Sequence, residues 1–387
     1  FFFGSQDAEV NTMKALHLTQ FCSEGSVADS ISFGDVPVPT TSPVKREVLV
    51  AVKASAINVD DIALCQDTAM GGWITHRRTP TVAHPLVGGC EYAGVVLAVG
   101  PDVKQLTAGD RVCGVQNPLN NSLPGTWAEQ TLALEGDIVP IPAECDISFV
   151  EAAASGMSAL VAGDMYKRAH LPAEGCRCLV IGASGGLGTV LLQLLRGHTG
   201  GRVHIAAVCS GTNAEMVKRL GADEAIDYRI GPFADQLATQ GKFDVAFDFV
   251  GGSESERGAA RVLRRGGQFI TACGPMAGIG DRKLTCCEFS GWMCGVMGRL
   301  MKSMCCCCCA RVTYEFAGGM PPLKARDFNA VVIEAGIRPE IALEVPFTEA
   351  PLRAALARVA SRHTKGKVVM NMEHAGAGTH LGEEEVG

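Results

Sequence analysis

At 387 residues, with 47% apolar and 19% charged side chains, the chain has length for two or three domains with ample core and lacks the composition of a disordered segment. A net charge of −7 without a long Lys/Arg block argues against a nucleic-acid partner, and no run of about 18 uncharged apolar residues is present to span a bilayer. The seventeen cysteines do not form a disulfide framework: nine are scattered and eight crowd between Cys286 and Cys309, a usage that fits small buried hydrophobes in a reducing compartment.

The chain opens FFFGSQDAEVNT, read as a processed or targeting-peptide remnant over residues 1–12, and the first strand-like run starts near Met13. Short β-like pieces, KALHLTQF and REVLVAVKA, flank the Pro-rich DVPVPTTSP and predict a small all-β barrel or sandwich. ASAINVDDIALCQ then sets Asn58, Asp60 and Asp61 at a strand end and a helix start. The two acids suit capping as well as function, whereas Asn58 offers a neutral amide that can orient a cofactor or polarise a carbonyl. The following loop and LVGGCEYAGVVLAVG read as tight turns and barrel strands; His76, His84 and Tyr92 are the titratable groups there, and each is expected to be a surface or locally satisfied residue. Cys65, Cys90 and Cys113, with Glu91 beside Cys90 and no C-x2-C pair, do not make a zinc pattern.

An Ala-rich helix opens at Glu151 and carries Ser158 among small neighbours; a second helical piece is expected through LPAEG. LVIGASGGLGTVLLQLLR, Leu179 to Arg196, then reads as a buried strand, a glycine-rich turn and an apolar helix. Gly182, Ala183, Ser184, Gly185, Gly186, Leu187 and Gly188 form the turn, with Ala183, Gly185 and Gly188 in the three places of a G-x-G-x-x-G template. Small side chains let the backbone approach a pyrophosphate, and the helix N-terminus aims N–H groups at the anion. A tight turn that binds nothing is the alternative. Strands alternate with helices from here to GQFITAC, which implies a parallel doubly wound sheet, a Rossmann-like domain. The second strand ends in VCSGTN: Ser210, Thr212 and Asn213 stand where an NAD site places an acid, and this favours NADPH.

Residues 286–311, CCEFSGWMCGVMGRLMKSMCCCCCAR, carry an apolar stripe at helical spacing through Phe289, Trp292, Met293, Val296, Met297, Leu300, Met301 and Met304, opposite Gly291, Gly295, Arg299, Lys302 and Ser303. A helix packed on the cofactor domain, or at a dimer contact, is favoured over one lying on a membrane or docking a partner; metal binding by Cys305–Cys309 is disfavoured because adjacent side chains diverge.

The motifs AINVDD, GGCEYAGVVLAVG, AGDRV, GTWAEQ, EAAASGMSAL, VIGASGGLGTVLLQL, LGADEAIDY, FDFVGG, LRRGGQFI and KGKVV together resemble the zinc-independent quinone oxidoreductases (zeta-crystallin-like) of the medium-chain dehydrogenase/reductase superfamily, over Met13 to Met372. VTYEFAGG and IRPEI are similar to the mitochondrial reticulon-4-interacting-protein branch. The resemblance implies a GroES-like β-rich catalytic domain (13–139 and 321–372) around a Rossmann-like NADPH-binding domain (140–320, insert 286–311), with a tail at 373–387. It implies that Asn58 and Ser158 lie near the nicotinamide and Gly185–Gly188 under the pyrophosphate, that Ser210 and Tyr228 flank the 2′-phosphate, and that Val250 and Gly274 line the cofactor channel. Two departures stand out: Asn213-Ala214 replaces a Lys that many NADPH-using relatives have, and RRTPTVAHP lacks a Tyr often found in that loop. The expected activity is hydride transfer from NADPH to a quinone or α,β-unsaturated carbonyl, with Asn58 the candidate catalytic residue and no metal, in a homodimer of a mitochondrion or plastid. The alternative is a catalytically silent accessory subunit of a larger, membrane-associated assembly.

Overall fold

The computed structural model describes residues 11–39, 44–72, 79–116, 123–172, 175–198, 202–305, 312–317 and 324–373. His76, Cys306–Cys309 and the terminal segments 1–10 and 374–387 lie outside the described residues. Among the described residues no helix is long and apolar enough to cross a membrane.

Two large sheets organise the molecule. The first has six strands in the order Glu224–Asp227, Val203–Cys209, Cys176–Ile181, Phe243–Asp248, Leu263–Thr271, Val312–Phe316, every neighbouring pair parallel. Numbered along the chain within this sheet the order is 3-2-1-4-5-6, and the reversal point falls beside Cys176–Ile181, the strand that runs into the glycine turn. Its central strands are mostly apolar on both faces, as helices on either side require; among the polar exceptions, the Asp244 carboxylate accepts the Arg177 backbone N–H at 2.8 Å and the Arg177 guanidinium lies 4.9 Å from the centre of the Phe243 ring.

The second sheet orders Ile341–Pro346, Lys367–Asn371, Glu47–Ile57, Glu91–Val99, Arg111–Val115 and Ile138–Pro140, with Gln130–Leu134 also paired to Glu47–Ile57. It joins the two chain ends: Lys367–Asn371 runs antiparallel to Glu47–Ile57, Val368 opposite Ile57 and Asn371 opposite Ala54. A three-stranded sheet, Ser32–Pro37, Thr12–Leu18 and Leu86–Val87, covers one end. The fold is thus a GroES-like β-rich part and a Rossmann-like parallel-sheet part, as the motif pattern predicts.

Helix Phe149–Arg168 fills the seam between the sheets. Ser148 and Glu151 start it with reciprocal capping bonds, and the small residues Ala152–Ala154 and Gly156 allow close approach: a Cβ on Gly156 would sit 2.9 Å from Val115 Cγ2. It is one unbroken helix that the chain leaves at Ala169, just ahead of Pro172, which disfavours helical backbone before it; residues 173–174 of the piece expected through LPAEG lie outside the described residues.

The insert forms helix Cys286–Cys305 with a different facing from the one its stripe suggests. Trp292 and Val296 are buried, but Met293, Met297 and Met301 face outward. Arg299, expected on the solvent side, instead turns inward, pairing with Glu256 at 2.7 Å and lying 5.9 Å from the centre of the Tyr314 ring. Ser303 accepts the Tyr314 amide. A guanidinium that finds a carboxylate and an aromatic face outweighs three flexible Met side chains, whose exposure costs little each.

Candidate functional site

Strand Cys176–Ile181 ends in Gly182 at φ +80°, a left-handed conformation that a side chain resists. The amides of Gly182 and Ala183 donate to the Val208 carbonyl of the neighbouring strand, and the Gly185 amide to the Gly182 carbonyl. Helix Gly186–His198 follows, its first ladder bond from the Thr189 amide to the Gly185 carbonyl, so the amides of Gly186, Leu187 and Gly188 have no intrahelical acceptor. Gly188 is forced by packing: a Cβ there would lie 2.5 Å from the Gly182 carbonyl oxygen and 2.7 Å from Ala183 Cα. At Gly185, by contrast, the nearest atom to an added Cβ is 3.5 Å away. Tight closure at Gly188, looser contact at Gly185 and the unpaired amides of the first helical turn form a cradle that fits the pyrophosphate of a dinucleotide.

From the other sheet three groups converge on this turn. Asn58 occupies the N-cap position of helix Val59–Cys65; its backbone N–H donates to Asp61 Oδ2 at 2.8 Å, so Asp61 is a capping residue. The Asn58 side chain accepts from Lys367 Nζ at 2.6 Å through Oδ1 and donates to Glu91 Oε2 at 3.1 Å through Nδ2. Lys367 Nζ also lies 2.6 Å from Glu91 Oε2, and Glu91 Oε1 accepts the Met157 amide at 2.7 Å. Both charged side chains are buried, with 5% and 0% of their surface exposed. Contact with the turn is direct: the Gly366 amide donates to the Ser184 carbonyl at 3.0 Å, and Lys367 Cδ would stand 2.6 Å from a Cβ on Gly186. Ser158, fully buried, reaches the Gly186 carbonyl at 3.4 Å. Asn58, Ser158 and Ser184–Gly186 are therefore brought together. Lys367 and Glu91 complete the group without having been singled out as site residues; the available signal was a charge set in an otherwise apolar strand, in KVVMN and in CEYAGVV.

At the far edge of the turn, Ser210 Oγ and Thr212 Oγ1 are 3.0 Å apart, and Tyr228 is half exposed. Asn213, next along the chain, is buried, and its Oδ1 has no hydrogen-bond partner among the described residues. An acid does stand here, although not on the strand where one was sought. Asp227, at the end of the neighbouring strand, lies so close beneath Gly211 that an added Cβ would collide with its carboxylate. The Arg229 amide, followed by the Arg229 guanidinium and the Gly211 amide, holds this carboxyl below its ordinary value.

Val250 is half exposed next to Gly182, with its Cγ2 3.1 Å from where a Gly182 Cβ would be. Gly274, at φ +75°, packs against Trp292 and Phe316, whose rings meet edge-on at 5.8 Å. The titratable candidates of the first half fall away: His84 is an exposed turn residue, and Tyr92 is wholly buried, its hydroxyl pushed well up by burial.

The family profile described as "Alcohol dehydrogenase GroES-like domain" matches residues 44–143, and "Zinc-binding dehydrogenase" matches residues 220–370. The second description raises the question of a metal. Among the described residues no three His, Cys, Asp or Glu side chains group as a metal site. Glu91 is held by Lys367, Asn58 and Met157, and burial pushes the Cys90 and Cys113 thiols well above their usual range; these residues do not fit zinc.

The mitochondrial NAD(P)H oxidoreductase RTN4IP1 of Mus musculus is 31% identical over 345 residues, covering 84% of this chain and 82% of the relative. The chloroplastic quinone-oxidoreductase homolog of Spinacia oleracea is 30% identical over 242 residues, covering 61% and 68%. The quinone oxidoreductase structure from Coxiella burnetii has the same fold, with a TM-score of 0.72 at 21% identity over 94% of this chain and all of that one. The chain is an oxidoreductase of the medium-chain dehydrogenase/reductase superfamily and belongs, within it, to the quinone-oxidoreductase-like family that includes the RTN4IP1 branch.

Proposed function

We propose that this protein is an NADPH-dependent reductase that transfers a hydride to a quinone or an α,β-unsaturated carbonyl without zinc. The observation that carries the reading is the contact of the glycine turn with Asn58 through Gly366 and Lys367. When bound, the reduced nicotinamide supplies the hydride. The turn amides of Gly186–Gly188 bind the pyrophosphate, and Ser158 and Asn58 face the nicotinamide end. Hydride arrival builds negative charge on the substrate oxygen, and the Asn58 amide donates to it; a fixed neutral donor avoids solvent reorganisation and needs no acid of unusual pKa. Val250 and Gly274 line the channel.

NADPH is preferred over NADH because Ser210, Thr212 and Tyr228 offer hydroxyls at the edge of the site, while the Asp227 carboxylate is engaged by backbone amides with Arg229 beside it. The name of the spinach relative supports the substrate class, and the names of both relatives support an organellar location. Among the described residues the outer strand Val312–Phe316 has a neighbouring strand on one side only, and this edge, where Ser303 takes the Tyr314 amide, is the place for a homodimer contact.

Fluorescence titration with NADPH and NADH is the first test: NADPH is expected to bind at least about tenfold more tightly, and binding of neither sinks the reading. A panel of quinones, enones and enoyl thioesters then identifies the acceptor. The accessory-subunit reading draws on exposed Met293, Met297 and Met301, and fractionation of a chain lacking Phe289–Cys309 tests it: an unchanged soluble dimer argues against it.

A further inference from the structure

Lys367 opens a strand whose five residues are all buried, Lys367–Asn371. An ammonium there is strongly disfavoured unless paired, and the Glu91 carboxylate at 2.6 Å supplies the counter-charge. The second acceptor of Lys367, Asn58 Oδ1 at 2.6 Å, adds nothing to charge balance. Its effect is on orientation. An Asn amide can turn over and exchange its oxygen and nitrogen. Here a turned amide would set NH2 against the ammonium and the carbonyl oxygen against the Glu91 carboxylate, two repulsions in place of two hydrogen bonds. The observed orientation commits Oδ1 to Lys367 and one Nδ2 hydrogen to Glu91, and leaves the second Nδ2 hydrogen without a partner among the described residues. The stem of the same Lys lies over Gly186, and its neighbour Gly366 holds the Ser184 carbonyl, so the amide is also registered against the glycine turn.

We propose that Lys367, balanced by Glu91, is a positioning residue that locks the Asn58 amide with one N–H left for the substrate oxygen at a fixed place relative to the cofactor turn. This rests on the reductase reading above. The test compares wild type with N58A, K367M, E91Q/K367M and N58A/E91Q/K367M. E91Q/K367M removes the carboxylate that K367M alone would strand, and it leaves the net charge unchanged.

Three quantities are read: NADPH affinity by fluorescence, kcat and KM with the best acceptor of the panel, and the affinity of 4-nitrophenolate, an oxyanion mimic, for the protein with NADP+ by absorbance. E91Q/K367M is expected to melt near wild type and bind NADPH within about twofold, yet to lose about tenfold or more in kcat and in 4-nitrophenolate affinity. Adding N58A to it should cost nothing further, because the amide is already misplaced. A kcat and 4-nitrophenolate affinity for E91Q/K367M within about twofold of wild type would overturn the proposal and leave Lys367 a structural ion-pair partner. So would an N58A effect that multiplies with the others. A wild type that binds NADPH and reduces the panel, with E91Q/K367M equally active, defeats this inference alone; a wild type that binds no NADPH defeats both. If no acceptor turns over, 4-nitrophenolate affinity decides.

Discussion

Asp61 shows how a single buried carboxyl ties the site to pH. One oxygen caps the Asn58 backbone N–H, and the buried carboxyl also meets the Cys90 thiol. Burial, opposed chiefly by the Asn58 amide bond, pushes its pKa from 3.8 up to about 6. A raised carboxyl pKa means the native state holds the proton more tightly than the unfolded chain. The associated stability is therefore full at low pH and is lost as pH climbs through about 6. D61N keeps an oxygen for the Asn58 backbone N–H and removes the charge. Its melting temperature should match wild type near pH 4 and exceed it above pH 6, by up to about 3 kcal/mol in unfolding free energy. Parallel curves across that range would show that Asp61 does not titrate there. Capping by Asp61 was legible in INVDD, since donor and acceptor are three positions apart. The Lys367 contacts were not, because its two partners lie 276 and 309 positions away.

The glycine turn and the insert helix show what local sequence fixes in an element and what it leaves open. Within the turn, the glycines differ in kind. G188A drives a methyl into the Gly182 carbonyl and the Ala183 backbone, and should cost about 1–3 kcal/mol of stability and abolish NADPH binding; G185A makes only an ordinary contact, 3.5 Å from the Gly182 carbonyl oxygen, and should fold like wild type. Thermal unfolding and fluorescence titration of the two variants check this, and equal stability would mean the turn is less tightly closed than its geometry indicates. In helix Cys286–Cys305 the period of 3.6 identified the helix, but not which side is inward. Glu256, 43 positions back along the chain, decides that through Arg299. R299A should destabilise by about 1–2 kcal/mol, whereas M297S, on the exposed face, should stay within about 0.5 kcal/mol. A reversed ranking in thermal unfolding would put the Met face inward.

At the scale of the molecule, the strand Lys367–Asn371 sits inside the second sheet between Ile341–Pro346 and Glu47–Ile57, so the last part of the chain completes a structure begun by the first. A chain ending at Arg362 loses that strand along with Lys367, and is expected not to accumulate as folded protein; cooperative melting at the wild-type temperature would refute this. Ties across the seam reinforce the closure, Lys283 to Asp67 at 2.6 Å and Arg362 to Asp281. The sequence by itself determined the parallel βα alternation, the glycine turn and the amide at a strand end. Each is a pattern of period, turn chemistry or capping that acts over a few residues. Only the tertiary structure decided that Lys367 and Glu91 surround Asn58, that Asp227 lies under the strand-end turn, and that Arg299 faces inward. These depend on strands distant in the chain becoming hydrogen-bonded neighbours, and on burial making a charge seek whatever partner the fold brings within reach.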